Sequence, residues 1–572
     1  YMTGYDRYVA RASALATHKK NIISHITPKQ ALKKAYLRSA ALKSMIGEIS
    51  NLVDKGCLEG VHRRSLTESQ LKRIIRSSMF LKEKYKADGE FEKLKARLVA
   101  GGHMQDRSDM GDVSSPVVNT TSINILAAVA AKERRHVVCV DIGSAFLNSD
   151  MSGEDVHMKL DAVMTKLLCG VDASFKQFVQ SDGTIIVRLN KALYGCVKSS
   201  LLWYQTLSGF LMECGYVQNP YDPCVFNLTR DDVQCTVCFH VDDLMITCVT
   251  QSVIEELVEK LTDRFGTIAT HYGNQHNYLG ALFDFSEDGK VHVSMPHHTR
   301  QLIDDSEIKG TAATPAATTL FDVDDKSPPL GAEDKAYFHS FVHRVMYLAN
   351  RINGECLVAC AFLSGRVQQP TEEDMRKLQR VLRYLSANPD LRLTLQVGDT
   401  VGVVQYTDAS YGVHADGKSH TGSSITLGAG AVHARSVKQK INTKSSTEAE
   451  LVGLSDEASR GLWCNLFLEQ QGYDVPALTQ LQDNQSTIRL GMKGCATAQR
   501  TRHINIRYFW ITDYVERGEM SLEYMPTGDM IADGLTKPLQ GQEFLRMRRL
   551  LLNSMPDVLD DEQYTLYNDR IW

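Results

Sequence analysis

Cys235–Cys248 reads CTVCFHVDDLMITC, in which two apolar runs rich in Val, Phe, Ile and Met flank an adjacent acid pair, Asp242 and Asp243. Runs of this length and composition read as buried strands, and the acid pair falls where the chain must reverse direction. Placing two carboxylates there without counter-charge is costly, so a cation is expected beside them. Taken alone, the residues read more readily as an ordinary hairpin with a solvated Asp-Asp turn. The choice depends on the rest of the chain.

A second acid of the same kind lies in His136–Asn148, HVVCVDIGSAFLN, where Val137, Val138 and Val140 form a short buried strand ending at Asp141. If this strand neighbours the first hairpin, carboxylates from both can hold two divalent ions about 4 Å apart, the requirement for nucleotidyl transfer. Gly143, Ser144 and Ala145 are small enough to let a substrate approach, and Phe146 follows as a bulky ring. That ring fits beneath a sugar, where it would exclude a 2'-hydroxyl; from spacing alone a plain core phenylalanine fits as well.

After residue 400 a different set of acids appears. Val401–Ser410, VGVVQYTDAS, is an apolar alternating strand ending in Asp408, followed by two strand-like runs, SSITLGAG and AVHARSV. A long helix then begins at Ser445 and Glu448, spaced as a capping box, with Leu451, Leu454, Ala458, Leu462 and Leu466 on one apolar face and Glu450 in its first turns. LTQLQDNQSTIRL gives a short strand ending at Asp483, and MIADGLTK places Asp533 at the start of the last helix. Four acids at element ends can hold two metal ions that activate water against a phosphodiester.

The ordered blocks KARLVAGG (Lys95–Gly102), SSPVVNTTSINIL (Ser114–Leu126), VDIGSAFLN, LNKALYG (Leu189–Gly195), Trp203-Tyr204, FHVDD and YLG (Tyr278–Gly280) resemble the reverse transcriptase of copia-type LTR retrotransposons. TDAS, STEAEL, QDNQS and ADGLTKPL resemble the ribonuclease H domain that follows it in that family, so the resemblance runs from about Phe80 to Pro538. It implies an α+β multidomain chain: a right-hand polymerase of fingers, palm and thumb or connection, then an α/β RNase H-like domain. The boundaries so read are a basic helical leader at 1–70, fingers and palm at 71–305, a linker at 306–335, thumb or connection helices at 336–400, the RNase H-like domain at 401–539 and a C-terminal tail at 540–572.

By the same resemblance, Asp141, Asp242 and Asp243 are the polymerase's catalytic metal ligands, and Asp408, Glu450, Asp483 and Asp533 are those of the hydrolytic site. The ion is expected to be Mg²⁺, two per active site, with Mn²⁺ as the alternative. Lys95 and Arg97 would contact the incoming nucleotide's triphosphate, a role that suits a planar guanidinium and a compact ammonium. A charged hairpin turning at Ala87-Asp88-Gly89 accounts for the same residues. Tyr194 and Gly195 would lie against the nucleotide, while Leu279 and Gly280 would grip the primer end beside His240. Arg500, Arg502 and His503, in RTRHIN, would touch the hybrid's phosphate backbone; a helix start with solvated charges is the alternative there, and no catalytic role is given to His503.

The implied activity is RNA-directed DNA synthesis with removal of RNA from the hybrid. Partners would be an RNA template, a DNA primer strand, the RNA–DNA hybrid and deoxynucleoside triphosphates, together with the integrase and capsid portions of the same polyprotein. Two departures from the family pattern stand out: His240 where Tyr is usual, and Ser199, Ser200, Leu201 and Leu202 before Trp203 where the family has Ala-Pro-Arg-Ala. They keep open an alternative from another class, a catalytically decayed or domesticated retroelement protein that only binds nucleic acid.

Composition sets the bounds. The 572 residues, 43% of them hydrophobic, suffice for three or more folded units. The 18 His and 13 Cys show no paired metal spacing, and the one C-x-x-C, Cys235 to Cys238, lies inside a strand and reads as core. Unpatterned thiols fit a reducing intracellular compartment; the resemblance implies the cytoplasm, within virus-like particles, with the nucleus as the secondary location. No apolar run reaches membrane-spanning length, so no membrane partner is expected. The net charge of −4 is unevenly spread: residues 1–100 hold 21 Lys and Arg against 9 Asp and Glu, and the remainder 43 against 59. That local excess of +12 can neutralise phosphates. No Cys-Cys-His-Cys knuckle or Asp-Ser/Thr-Gly protease motif is present, and the chain is expected to be part of a larger product.

Overall fold

Leu37, Ala41, Met45, Ile49 and Leu52 recur every three or four residues, so the helix Ala35–Asp54 carries one apolar face, and that face is buried. In the computed structural model, which describes residues 27–85, 91–108, 110–151, 153–493 and 505–554, this face joins a core with Leu94, Ala96 and Leu98 of the strand Phe91–Ala100. At roughly 1.5–3 kcal/mol for each large side chain fully buried, packing outweighs intrinsic propensity in holding the helix. The chain divides into two compact units: Tyr1–Val117 with Asp141–Val217 and Val258–Ala269, and Val118–Val140 with Gln218–Leu257 and Thr270–Trp572.

In the first unit five strands lie in the order Leu58–Val61, Ile185–Leu189, His157–Leu160, Ile75–Tyr85, Phe91–Ala100. The last is an edge strand, whose open backbone groups need partners. Helix Ala35–Asp54 supplies them: Ala96 N–H donates to Ser44 Oγ at 2.8 Å, Leu98 N–H to Glu48 Oε1 at 3.0 Å, and Ser44 Oγ donates to the Leu94 carbonyl at 3.0 Å. The residues read as a leader at 1–70 therefore do not stand apart. Their helix covers the hairpin edge, and their strand Leu58–Val61 pairs with Ile185–Leu189.

The second unit is built on three sheets. The first has six strands, of which the inner four run in the order His136–Ile142, Asp243–Cys248, Val233–His240, Asp222–Arg230. Helix Thr120–Lys132 is buried from Thr121 to Ala131, as its nearly continuous small and apolar composition requires. The next sheet is Gln275–Tyr278, Ala281–Asp284, Lys290–Ser294, Leu393–Val397, Gly428–Ala429. Helices Ala332–Ala349, Leu357–Ser364 and Glu372–Ala387 separate its third and fourth strands in sequence.

The last sheet has the order His433–Lys438, His420–Thr426, Val404–Ser410, Leu478–Gln482, Met520–Tyr524. Its first three strands are antiparallel, and its last two join in parallel. The long helix Ser446–Gln470 makes the crossover to the parallel part. Ser445 Oγ accepts from Glu448 N–H, while the Glu448 carboxylate accepts from Lys444 N–H at 2.7 Å, so the expected box is closed one residue early. No described helix is long and apolar enough to cross a membrane.

Three expectations need correction. Residues 306–335 are irregular but packed rather than a free linker: Thr314, Ala316, Leu320 and Phe321 are buried, and Arg380 Nη2 donates to Thr314 Oγ1 at 2.8 Å. Residues 336–400 are not helical throughout, because Leu393–Val397 alternates as a strand and pairs with Lys290–Ser294. The region read as a tail contains helix Gly541–Leu552, whose Phe544, Met547, Leu551 and Leu552 are buried.

Phe321 also packs against two buried histidines, its ring centre 4.9 Å from that of His414, edge-on, and 5.4 Å from that of His420, tilted. His414 Nε2 lies 3.0 Å from His420 Nδ1, and His420 Nε2 lies 2.8 Å from Ser436 Oγ. Burial pushes His414 down to about 4 and His420 to about 3, with Lys438 facing both, Lys418 and Asp416 facing His414, and His414 itself bearing on His420. Unfolded histidines take their proton near pH 6.5, so the pair's contribution to stability is complete above that pH and is lost as pH falls toward 4 and then 3. Urea midpoints at pH 7.5 and 5.0 should therefore drop further for the wild type than for His420→Gln; equal drops would show that the pair does not titrate in this way.

Candidate active sites

The apolar runs around Asp242-Asp243 form the antiparallel hairpin Val233–His240 and Asp243–Cys248, with His240 opposite Asp243. Only Val241 and Asp242 remain for the turn. Val241 adopts φ 60°, a left-handed conformation that a β-branched residue reaches at a cost of about 1–2 kcal/mol. The buried flanks Cys235–Phe239 and Leu244–Cys248 hold that strain in place. Asp242 occupies the turn and Asp243 opens the second strand, both half-buried. Asp141 is exposed, one residue before the end of His136–Ile142, the strand next to Asp243–Cys248 in the sheet order.

A second tight hairpin supports the first. Buried Tyr278 donates its hydroxyl to the Asp243 carbonyl at 3.3 Å. The turn that follows is Leu279-Gly280, at φ 50° and 83°, between the paired residues Tyr278 and Ala281. Tyr347 Oη donates to the Leu279 carbonyl at 3.3 Å, and the Arg351 guanidinium lies 3.7 Å from the Tyr347 ring centre. A Cβ on Gly280 would come within 3.1 Å of Tyr347 Oη, so space as well as φ favours glycine there. His240 is half-buried, and its Nδ1 has no hydrogen-bond partner. Burial pushes its pKa down, Asp242 raises it, and Arg351 lowers it.

In the first unit, the residues expected to meet a nucleotide gather around one ring. Arg97 sits over Tyr194 at 4.8 Å, and Phe146 meets the same ring edge-on at 4.8 Å. Ala100 N–H donates to the Tyr194 carbonyl at 2.7 Å. Gly195, at φ 91°, lies so close to that strand end that a Cβ would fall 2.2 Å from the Ala100 carbonyl oxygen. Lys95 is exposed two residues before Arg97, on the same face of the strand. The turn carrying Phe146 is held by two residues that the sequence did not single out: Asn51 Nδ2 donates to Ser144 Oγ at 3.1 Å, and Lys55 Nζ donates to Asn148 Oδ1 at 2.6 Å.

In the last sheet, Asp408 lies on the central strand and Asp483 directly follows the parallel strand Leu478–Gln482. Glu450 projects from the first turns of Ser446–Gln470. One oxygen from each of these three acids lies within 4.8 Å of the others. Asp408 is 1% exposed and Glu450 6%. Gln482 Nε2 donates to Glu450 Oε2 at 3.4 Å, and Thr527 Oγ1 donates to Asp483 Oδ2 at 2.9 Å.

Asp533 belongs to the short 3-10 helix Ile531–Leu535 rather than to the start of the last α-helix. Pro538 disfavours α geometry at the residue before it and donates no amide hydrogen, so the turn cannot extend. The Thr536 hydroxyl donates to Asp408 Oδ2, and Lys537 Nζ lies 2.7 Å from Asp533 Oδ1 and 3.5 Å from Asp408 Oδ2. Neither Thr536 nor Lys537 was evident as a site residue from acid spacing alone, although both lie within ADGLTKPL.

Burial, with Asp408 and Asp483 adding, pushes Glu450 up to about 10. Burial and then Asp408 push Asp533 up to about 7, and burial raises Asp483 as well. Burial works against the charge on Lys537, but Asp408 and Asp533 outweigh it and hold its pKa above the usual range. Acids crowded in this way ionise fully only beside added positive charge, so the donor set fits hard divalent cations. Asp408, Glu450, Asp483 and Asp533 would hold them. Arg500, Arg502 and His503, and the turn Ala87-Asp88-Gly89, lie outside the described residues.

The family described as reverse transcriptase (RNA-dependent DNA polymerase) matches residues 67–320. The chain is 28% identical over 480 residues to the retrovirus-related Pol polyprotein from transposon RE1 of Arabidopsis thaliana, covering 82% of this chain and 31% of that one. It is 26% identical over 492 residues to that from transposon TNT 1-94 of Nicotiana tabacum, covering 84% and 36%. The Transposon Ty1-JR2 Gag-Pol polyprotein of Saccharomyces cerevisiae is 24% identical over 495 residues, covering 83% and 27%. The chain thus spans about a third of the length of these relatives. Among solved structures, a foamy viral protease-reverse transcriptase in complex with double-stranded DNA aligns at TM-score 0.45 and 12% identity, covering 85% of this chain and 69% of that one. The ribonuclease LC11-RNase H1 aligns at TM-score 0.19 and 17% identity, covering 24% and 93%. With a match to the reverse transcriptase family at residues 67–320 and relatives aligned over most of its length, the chain is similar to the Pol polyproteins of copia-type retrotransposons.

Proposed function

We propose that this chain copies RNA into DNA and removes the RNA of the resulting hybrid at a second, separate site. The observation that carries the first activity is the Asp242-Asp243 hairpin with the Asp141 strand next to it in the sheet order. For the second it is the buried set Asp408, Glu450 and Asp483, on a sheet with three antiparallel strands followed by two parallel ones. That order supports an RNase H-like reading of residues 401–539.

At the first site, Asp141, Asp242 and Asp243 would hold Mg²⁺ or Mn²⁺, and at the second Asp408, Glu450, Asp483 and Asp533 would do so. Two bound divalent ions would supply activation of the attacking oxygen and neutralisation of charge at the leaving group. The remaining work falls to protein groups. Arg97, with Lys95 beside it, would bind the triphosphate of a deoxynucleoside triphosphate, while Tyr194, Gly195 and Phe146 form a wall for its sugar and base. Leu279, Gly280 and His240 would position the primer's 3'-hydroxyl for in-line attack on the α-phosphate. The basic first hundred residues and Arg500, Arg502 and His503 would engage template and hybrid phosphates. RNA template, primer strand and hybrid are the proposed nucleic-acid partners, with integrase and capsid portions as protein partners in an intracellular particle.

A second reading, nucleic-acid binding without catalysis, draws on His240, whose buried Nδ1 lacks a partner next to the metal-ligand turn. The Ser199–Leu202 departure favours neither reading: the Ser199 hydroxyl donates to the Leu193 carbonyl at 2.7 Å, and Trp203 is buried on helix Ser199–Glu213.

Three measurements test the proposal. Mg²⁺-dependent primer extension on primed poly(rA) should yield product, and EDTA should abolish both it and hybrid cleavage; template affinity without any product would favour the binding-only reading. Asp242→Asn should lower extension roughly a thousandfold or more and spare hybrid cleavage, with Asp483→Asn doing the reverse. Loss of both activities in either variant, with the fold retained, would contradict two separate sites. Arg97→Ala should raise the KM for nucleotide by about 10–100-fold, the loss of a charged hydrogen bond; an unchanged KM would remove Arg97 from the triphosphate site.

A further inference from the structure

Among the described residues, the ion pairs made by the four acids of the second site are both with Lys537. Its partners are fixed and its charge is not. The Asp408 side chain is 1% exposed and that of Asp533 13%, whereas the Lys537 side chain is 41% exposed. The backbone beneath it is anchored, since Lys537 N–H donates to the Asp533 carbonyl at 2.8 Å. A four-carbon stem on a fixed backbone can bring its ammonium in from the surface and withdraw it again without moving the strands.

The oxygen that Lys537 approaches is also heavily used. Asp408 Oδ2 accepts from the Thr536 hydroxyl and faces the ammonium at 3.5 Å, while Asp408 also belongs to the three-acid group whose oxygens lie within 4.8 Å of one another. A cation held by Asp408 and Asp533 and the Lys537 ammonium would be drawn to the same carboxylates, and two like charges there repel. We infer that Lys537 is a built-in competitor of divalent cations at Asp408 and Asp533, and that it sets the ion concentration at which this site loads. The inference rests on reading these acids as a cation site. The stem leads the displaced ammonium toward the surface, where a hybrid's phosphates would approach.

The wild-type chain supports a direct test. Acetylation by an N-hydroxysuccinimide ester, followed residue by residue by mass spectrometry, should modify Lys537 slowly in EDTA and several-fold faster as Mg²⁺ is added, with exposed Lys440 as the unchanging control. A Lys537 rate indifferent to Mg²⁺, or slowed by it, overturns the proposal whatever the activity shows. Independently, Lys537→Met should lower the Mg²⁺ concentration giving half-maximal hybrid cleavage about tenfold, equivalent to removing a competitor worth about 1.4 kcal/mol. Lys537→Arg, which keeps the charge, should leave it near the wild-type value, and unchanged half-saturation in Lys537→Met counts against competition. If the wild type cleaves no hybrid at any Mg²⁺ concentration but Lys537 labelling still rises with Mg²⁺, the competition stands and the ribonuclease reading fails.

Discussion

Carboxylates are held in this chain at positions where they cannot comfortably stay charged. Asp408 is almost fully enclosed, and oxygens of Glu450 and Asp483 lie within 4.8 Å of it and of each other. Crowding of like charge in a poorly solvated pocket is paid for by the surrounding fold: a central strand, a helix capped by Ser445 and a parallel strand end must all be rigid enough to keep the acids together. Polar side chains take up the remaining hydrogen bonds. Gln482 reaches Glu450, Thr527 reaches Asp483, and Thr536 reaches Asp408.

The Asp242-Asp243 hairpin meets a related demand by other means. Its turn is so short that Val241 is forced to φ 60°, and buried strands on both sides keep it there. Support comes from a neighbouring turn, through the hydroxyl of Tyr278 on the Asp243 carbonyl and that of Tyr347 on the Leu279 carbonyl. The first unit shows the same economy. Helix Ala35–Asp54 buries its apolar face, completes an edge strand through Ser44 and Glu48, and uses Asn51 and Lys55 to fix the turn that carries Phe146.

Elements whose residues repeat at a regular period were readable from the chain. The strands around Asp242, the strand ending near Asp141, the helix from Ser445 and the strand before Asp483 all announce themselves by alternation, helical spacing or a cap. Elements defined by distant partners were not readable. Leu393–Val397 becomes a strand because Lys290–Ser294 is there to pair with it, and Thr314, Ala316 and Phe321 are buried where Arg380, Gln540 and Phe362 meet them. Helix Gly541–Leu552 had an apolar face in plain sight, but its role emerges only where Met547 packs against Gly534 beside Asp533.

The sequence by itself determined which acids stand at or near element ends, the order in which they occur, the basic bias of the first hundred residues and the family that these motifs resemble. Local patterns suffice for that, because side-chain period and capping depend on neighbours a few residues away. The tertiary structure alone decided that Asp408, Glu450 and Asp483 converge, that Arg97, Tyr194 and Phe146 share one ring contact, and that Lys537 supplies the ammonium between Asp533 and Asp408. These are encounters between residues up to more than a hundred positions apart, and they exist only once the strands have chosen their partners.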